Sequence, residues 1–135
     1  MIKSEMSLQA QEDRQVFVQL LSDAGWRVQD WAEALDAGAD VEPEAEAQYG
    51  GPVFDLLVEY HARDRILMLE IVQRYGPVVL SLQLHPKGDL APLLARIIEA
   101  QEKLNEETYT DFVKSLIPLC SLVLIETDEG TYRLT

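Results

Sequence analysis

Apolar residues recur along this chain with two different periods. From Ala10 to Ala24 the period is helical: Val16, Phe17, Leu20, Leu21 and Ala24 fall on one face. Gly25 is placed to end that helix, and Trp26-Arg27-Val28 predicts a short extended piece. Three strands follow, rich in branched and aromatic residues: Val53 to Tyr60, Ile66 to Gln73 and Val78 to Leu84. Ala62-Arg63-Asp64-Arg65 and Arg74-Tyr75-Gly76-Pro77 are the turns between them. Links this short predict an antiparallel meander. After His85-Pro86-Lys87-Gly88, Asp89 is placed to cap a second helix that buries Leu90, Leu93, Leu94, Ile97, Ile98 and Leu104. Pro92 is tolerated in its first turn. The helix breaks near Asn105, and a shorter one runs from about Thr108 to Ile117, ended by Pro118. A hairpin closes the chain, with strands Ser121 to Glu126 and Thr131 to Leu134.

The stretch from Gln29 to Gly51 breaks this pattern. It carries Asp30, Glu33, Asp36, Asp40, Glu42, Glu44 and Glu46, with no Lys or Arg. Apart from one helical turn around Trp31, Ala32 and Leu35, it predicts an acidic loop. The predicted order is α-β-β-β-α-(α)-β-β. That is an α/β chain of the α+β type, in which helices pack on a mixed central sheet.

Length and composition fit this picture. At 135 residues the chain is one domain, 1–135, with residues 1–8 as a frayed tail. Its 47% apolar content is that of a globular core. The apolar runs, such as Val78–Leu80 and Leu122–Ile125, fall far short of the roughly 20 residues of a membrane span. Met-Ile-Lys-Ser-Glu-Met has no apolar stretch behind its lysine, so no secretory leader is expected. The single cysteine, Cys120, lies in apolar sequence and is expected as a buried thiol. These features predict a cytoplasmic protein with no membrane partner.

Charge narrows the function classes. With 24 Asp+Glu against 11 Lys+Arg, the net charge is −13. Nucleic-acid binders present a basic face to phosphate. Here the cations are scattered, so charge disfavours a nucleic-acid partner. A protein partner with a basic surface is the more natural complement.

Most catalytic templates are missing: there is no phosphate loop, dinucleotide fingerprint or zinc spacing. His61 and His85 fall in predicted turns, where exposure to solvent is expected. Asp55 and Glu70 differ, because both are embedded in apolar strand sequence, Val53-Phe54-Asp55-Leu56-Leu57 and Leu67-Met68-Leu69-Glu70-Ile71-Val72. A carboxylate buried there needs a partner or a cation. Strand parity puts Asp55, Leu57 and Glu59 on one face, and Ile66, Met68, Glu70 and Val72 on one face of the next strand. If the strands pair through the Ala62–Arg65 turn, the two carboxylates can converge on one Mg²⁺. The same pattern also describes the solvent-facing half of two alternating strands, with Glu59 and Arg65 as their neighbours across the turn.

These residues carry a resemblance. Ala24 to Asp30 after the first helix, the strand Phe54-Asp55-Leu56-Leu57-Val58-Glu59-Tyr60, the strand Leu69-Glu70-Ile71-Val72 and the closing hairpin together resemble the restriction-endonuclease-like, or PD-(D/E)XK, nuclease superfamily. The layout is most similar to the N-terminal nuclease domain of type I restriction motor subunits. The resemblance implies that Asp55 and Glu70 bind the metal and that a lysine two residues after the glutamate activates water. That position is Val72, which cannot polarise water. Gln73 is the adjacent candidate, although parity sends it to the opposite face unless a bulge intervenes. The expectation is a nuclease-like domain whose Mg²⁺-dependent activity is lost or weak. The acidic charge and element order are also similar to those of type III secretion chaperones. That likeness implies a non-catalytic protein-binding module, dimeric in the chaperone case, or an immunity-type inhibitor.

Overall fold

The computed structural model describes residues 8–30 and 44–135. Helix α1 (Leu8–Asp23) buries Ala10, Asp13, Phe17 and Leu21, a stripe spaced by three and four residues. Gly25 ends it with φ at +89°, the left-handed conformation that glycine adopts without Cβ strain. The Trp26 N–H reaches back to the Leu21 carbonyl and the Gly25 N–H to that of Ser22, closing a Schellman cap.

Seven strands then form one sheet in chain order: β1 (Arg27–Asp30), β2 (Glu44–Gly50), β3 (Phe54–His61), β4 (Ile66–Gln73), β5 (Val78–Pro86), β6 (Cys120–Thr127) and β7 (Gly130–Arg133). Every neighbouring pair is antiparallel, so the sheet is not the mixed one predicted. The hairpin links are too short for a parallel crossover, which needs a dozen or more residues. The long connection from β5 to β6 also restores antiparallel pairing. It carries two helices, α2 (Ala91–Ala100) and α3 (Tyr109–Leu116), and a 3₁₀ turn (Ile117–Leu119). It leaves and re-enters at the same end of the sheet, where the Lys87 N–H donates to the Leu119 carbonyl at 2.9 Å.

The acidic stretch is corrected in its second half. Residues 44–50 are strand β2, not loop. Alternation decides this: Ala45 and Ala47 are buried in the core while Glu46 and Gln48 face the other way. The helical turn expected at Trp31, Ala32 and Leu35 lies outside the described residues. Asp89 does not cap α2. The cap position is Leu90, whose buried side chain offers no acceptor to the first N–H groups of the helix. His61 and His85 are strand residues rather than turn residues, at the ends of β3 and β5.

The three described helices lie on one face of the sheet, and the core is between. β3 contributes Phe54, Leu56, Val58 and Tyr60, β4 contributes Leu67, Leu69 and Ile71, and β5 contributes Leu82 and Leu84. Against them pack Phe17 and Leu21 of α1, Leu93, Leu94 and Ile97 of α2, and Phe112, Val113 and Leu116 of α3. Cys120 is in this core, as expected, and burial pushes its thiol pKa up to about 11. No helix among the described residues is long and apolar enough to cross a membrane.

Among the described residues, one acidic side chain enters the core. Asp13, 2% exposed, accepts hydrogen bonds from Tyr60 Oη at 2.9 Å, Arg65 Nε at 2.8 Å and Gln9 Nε2 at 3.0 Å. Arg65 also donates to the Gly88 carbonyl, so one cluster ties α1 to the β3–β4 and β5–α2 turns. Burial, with Asp13 alongside, raises the Tyr60 phenol above its ordinary range. Arg65 sits at φ +54°, a conformation costing about 1–2 kcal/mol, which its bonds to Asp13 and Gly88 offset.

Candidate functional site on the open face of the sheet

The strands' other face carries no described helix. Alternation delivers to it Asp55, Leu57, Glu59 and His61 from β3, Ile66, Met68, Glu70 and Val72 from β4, and Ser81, Gln83 and His85 from β5, all half-buried. β6 adds Leu122 and Leu124, and β2 adds Glu46 and Gln48.

Asp55 and Glu70 are therefore on the same face of adjacent strands, as parity predicted. The register sets Asp55 opposite Val72 and Leu57 opposite Glu70, so the carboxylates are diagonal neighbours. Diagonal positions lie about 7–8 Å apart at the backbone. The Asp55 carboxylate lies beside Gly50, its partner on β2. Glu70 looks the other way along its row, into a groove of about 520 Å³ shared with Ser81, Glu126 and Asp128. Glu70 and Glu126 flank Ser81 in that row, two strand spacings or roughly 10 Å apart at the backbone. Mg²⁺ demands oxygens at about 2.0–2.1 Å in near-octahedral array. Among the described residues, no three or more His, Cys, Asp or Glu side chains are grouped closely enough to hold a metal.

Gln73 is on the other side. It pairs with Phe54, whose side chain is in the core, and the irregularity near Val72 adds its extra residue to β5, not β4. The parity of β4 is unbroken, so Gln73 does not join Asp55 and Glu70. Neither do the expected neighbours. Glu59 contacts His61 Nε2 at 2.7 Å, and Arg65 is committed to Asp13 on the covered face. His85 contacts Gln83 Oε1 at 3.3 Å.

A cross-strand row shows what the face offers. Glu46, Glu59, Met68, Gln83, Leu124 and Arg133 stand side by side across β2 to β7. Two carboxylates directly opposite one another, Glu46 and Glu59, repel and disfavour the pairing. The row passes from anionic through apolar to cationic, and Leu57 and Leu122 widen its apolar middle. A face of this kind is suited to contact with a polypeptide. One signal for the buried Asp13 cluster was present in the sequence: Asp13 falls on the stripe of Ala10, Phe17 and Leu21, where a charge demands partners. Compared with protein-family models, curated proteins and solved structures, this chain finds no match.

Proposed function

We propose that this chain is an acidic protein-binding module whose open sheet face receives a basic, partly apolar partner. The observation that carries this reading is the composition of that face. Half-exposed Leu57, Met68, Leu122 and Leu124 are interleaved with Asp55, Glu59, Glu70 and Glu126. Contact would remove the apolar side chains from water at about 25 cal/mol per Å². The carboxylates, within a net charge of −13, would steer cationic partners and reject anionic ones. A photo-crosslinking residue at Met68 tests it. The expected product is a crosslink to a cationic polypeptide that is lost in Leu124→Glu. Equal labelling of anionic and cationic polypeptides would overturn the reading.

A second reading rests on one observation, the shared face of Asp55 and Glu70. In it, the pair holds Mg²⁺ for phosphodiester hydrolysis on a restriction-endonuclease-like scaffold, with Val72 leaving water activation weak. Plasmid cleavage in Mg²⁺ or Mn²⁺ that disappears in Asp55→Ala would support it. Calorimetry showing no metal binding would remove it.

A further inference from the structure

Among the described residues the sheet ends on β7, and all four of its residues are exposed. Natural edge strands are blunted by proline, lysine or bulges. β7 is short and carries the charged Arg133, but it has no proline, lysine or bulge, and its register with β6 is continuous from Thr127↔Gly130 to Leu124↔Arg133. The Leu134 N–H donates to the Val123 carbonyl at 2.8 Å, which fixes the direction of the backbone groups. Antiparallel residues alternate between inward and outward hydrogen bonding. Leu134 and Tyr132 therefore bond to β6, while the N–H and C=O of Thr131 and Arg133 point out from the edge.

The side chains of the same strand divide the other way. Tyr132 pairs with Ile125 on the face that carries the helices, yet it is 52% exposed, and Leu134 is 38% exposed. The helical layer stops short of β7 and leaves a groove of about 380 Å³ there. Tyr109, Val113 and Ile117 of the α3 segment form one wall, and Leu80, Ile125 and Leu134 of the sheet form the other. Lys114 and Thr110 supply its polar rim.

We propose that β7 and the groove beside α3 form a docking edge at which an extended segment of a cationic partner protein adds to the sheet as an eighth strand. This rests on the binding-module reading and names where and how the partner is held. Outward backbone groups on Thr131 and Arg133 select another strand, since only a backbone satisfies both at strand spacing. A strand added there turns every second side chain toward the groove, so alternating apolar residues fit it. Its other side chains extend the open face. Glu126, Asp128 and Glu129 cluster at the β6–β7 turn, whereas Arg133 and Lys114 lie away from it, so a Lys or Arg is favoured at the turn end of the segment and disfavoured at the other. A second copy of this chain carries the same −13 and is repelled.

Fluorescence anisotropy of the full chain with synthetic peptides tests this. The probe is Val-Ser-Val-Ser-Val-Ser-Lys-Arg, whose C-terminal cations reach the β6–β7 turn when it adds antiparallel to β7, beside a Glu-Glu version and a scrambled version with its valines adjacent. The cationic alternating peptide should bind about tenfold tighter than either control. Arg133→Pro removes one outward N–H and should weaken binding about tenfold, while Arg133→Ala keeps that N–H and should change it less than about threefold. Leu134→Asp reads the groove separately and should also weaken binding about tenfold, with circular dichroism confirming the fold of each variant. Binding indifferent to both Arg133→Pro and Leu134→Asp overturns the docking edge, as does equal binding of all three peptides. Light scattering that shows a dimer broken by Arg133→Pro assigns the edge to a second copy and also overturns it. If partner crosslinks from Met68 persist in either outcome, the module reading stands and only the edge fails.

Discussion

Met68 and Leu69 are neighbours in sequence and differ by one side-chain reversal. Leu69 is fully buried beneath the helices, whereas Met68 is half-buried on the open face. The same holds for Leu56 against Leu57 and for Leu82 against Gln83. Both faces contain apolar groups, but only one has been closed by α1, α2 and α3. On that face the apolar side chains hold the fold together. On the other, equally strand-like residues are only half-buried and no described helix packs on them, so they contribute less to folding.

Substitutions on either side of one strand measure this difference. The largest effect is expected for Leu69→Ala, which should cost about 2–5 kcal/mol in denaturant unfolding by opening a core cavity. Met68→Ala next to it should cost under about 1 kcal/mol, and equal costs would show that the open face is closed in solution. Asp13→Ala should cost about 2–3 kcal/mol, since it leaves the Tyr60 hydroxyl and the Arg65 guanidinium without their shared acceptor. Gly51→Ala should cost about 1–3 kcal/mol, because the added Cβ would stand 2.7 Å from the Phe54 carbonyl oxygen.

Alkaline titration gives a smaller and graded effect. The unfolded chain ionises its cysteine from about pH 8.5 and its tyrosines from about pH 10. In the fold, burial raises both Cys120 and Tyr60, so each stays protonated longer than in the unfolded chain. Stability owed to these groups is intact below about pH 8.5 and is lost as pH rises, toward about 11 for Cys120. Tyr60→Phe should flatten the decline above about pH 10, measured by unfolding midpoints against pH. The smallest effect belongs to the open-face carboxylates. Asp55→Asn and Glu70→Gln should each change stability by less than about 0.5 kcal/mol. A gain well above that would mean the two carboxylates repel one another at close range and would favour a shared cation.

Most of the elements were legible before folding. The helical stripe of α1, the three central strands and the closing hairpin follow from periodicity, with bounds off by a residue or two. The shared face of Asp55 and Glu70 followed from strand parity, but Gln73 stayed a candidate until the register put the bulge's extra residue on β5. β2 was masked because Glu44 to Gly50 has only Ala45, Ala47 and Tyr49 on its core face, and small residues give a weak apolar signal. The mixed sheet was expected from the partial segregation of strands and helices along the chain, whereas the two-helix connection from β5 to β6 restores antiparallel pairing.

Composition and periodicity by themselves determined which residues alternate, which turns are short, and that the chain is acidic. Those are local properties, set by side-chain chemistry and by the two-residue period of a strand. Tertiary structure alone decided which of the two strand faces the helices cover, and that they stop short of β7. It also decided that Arg65 reaches Asp13 rather than Glu70, a contact spanning 52 residues of chain. Contacts of that separation depend on the whole packing arrangement, which no local pattern encodes. The pair of carboxylates that parity predicted is there, and the register makes it a diagonal pair on an open surface.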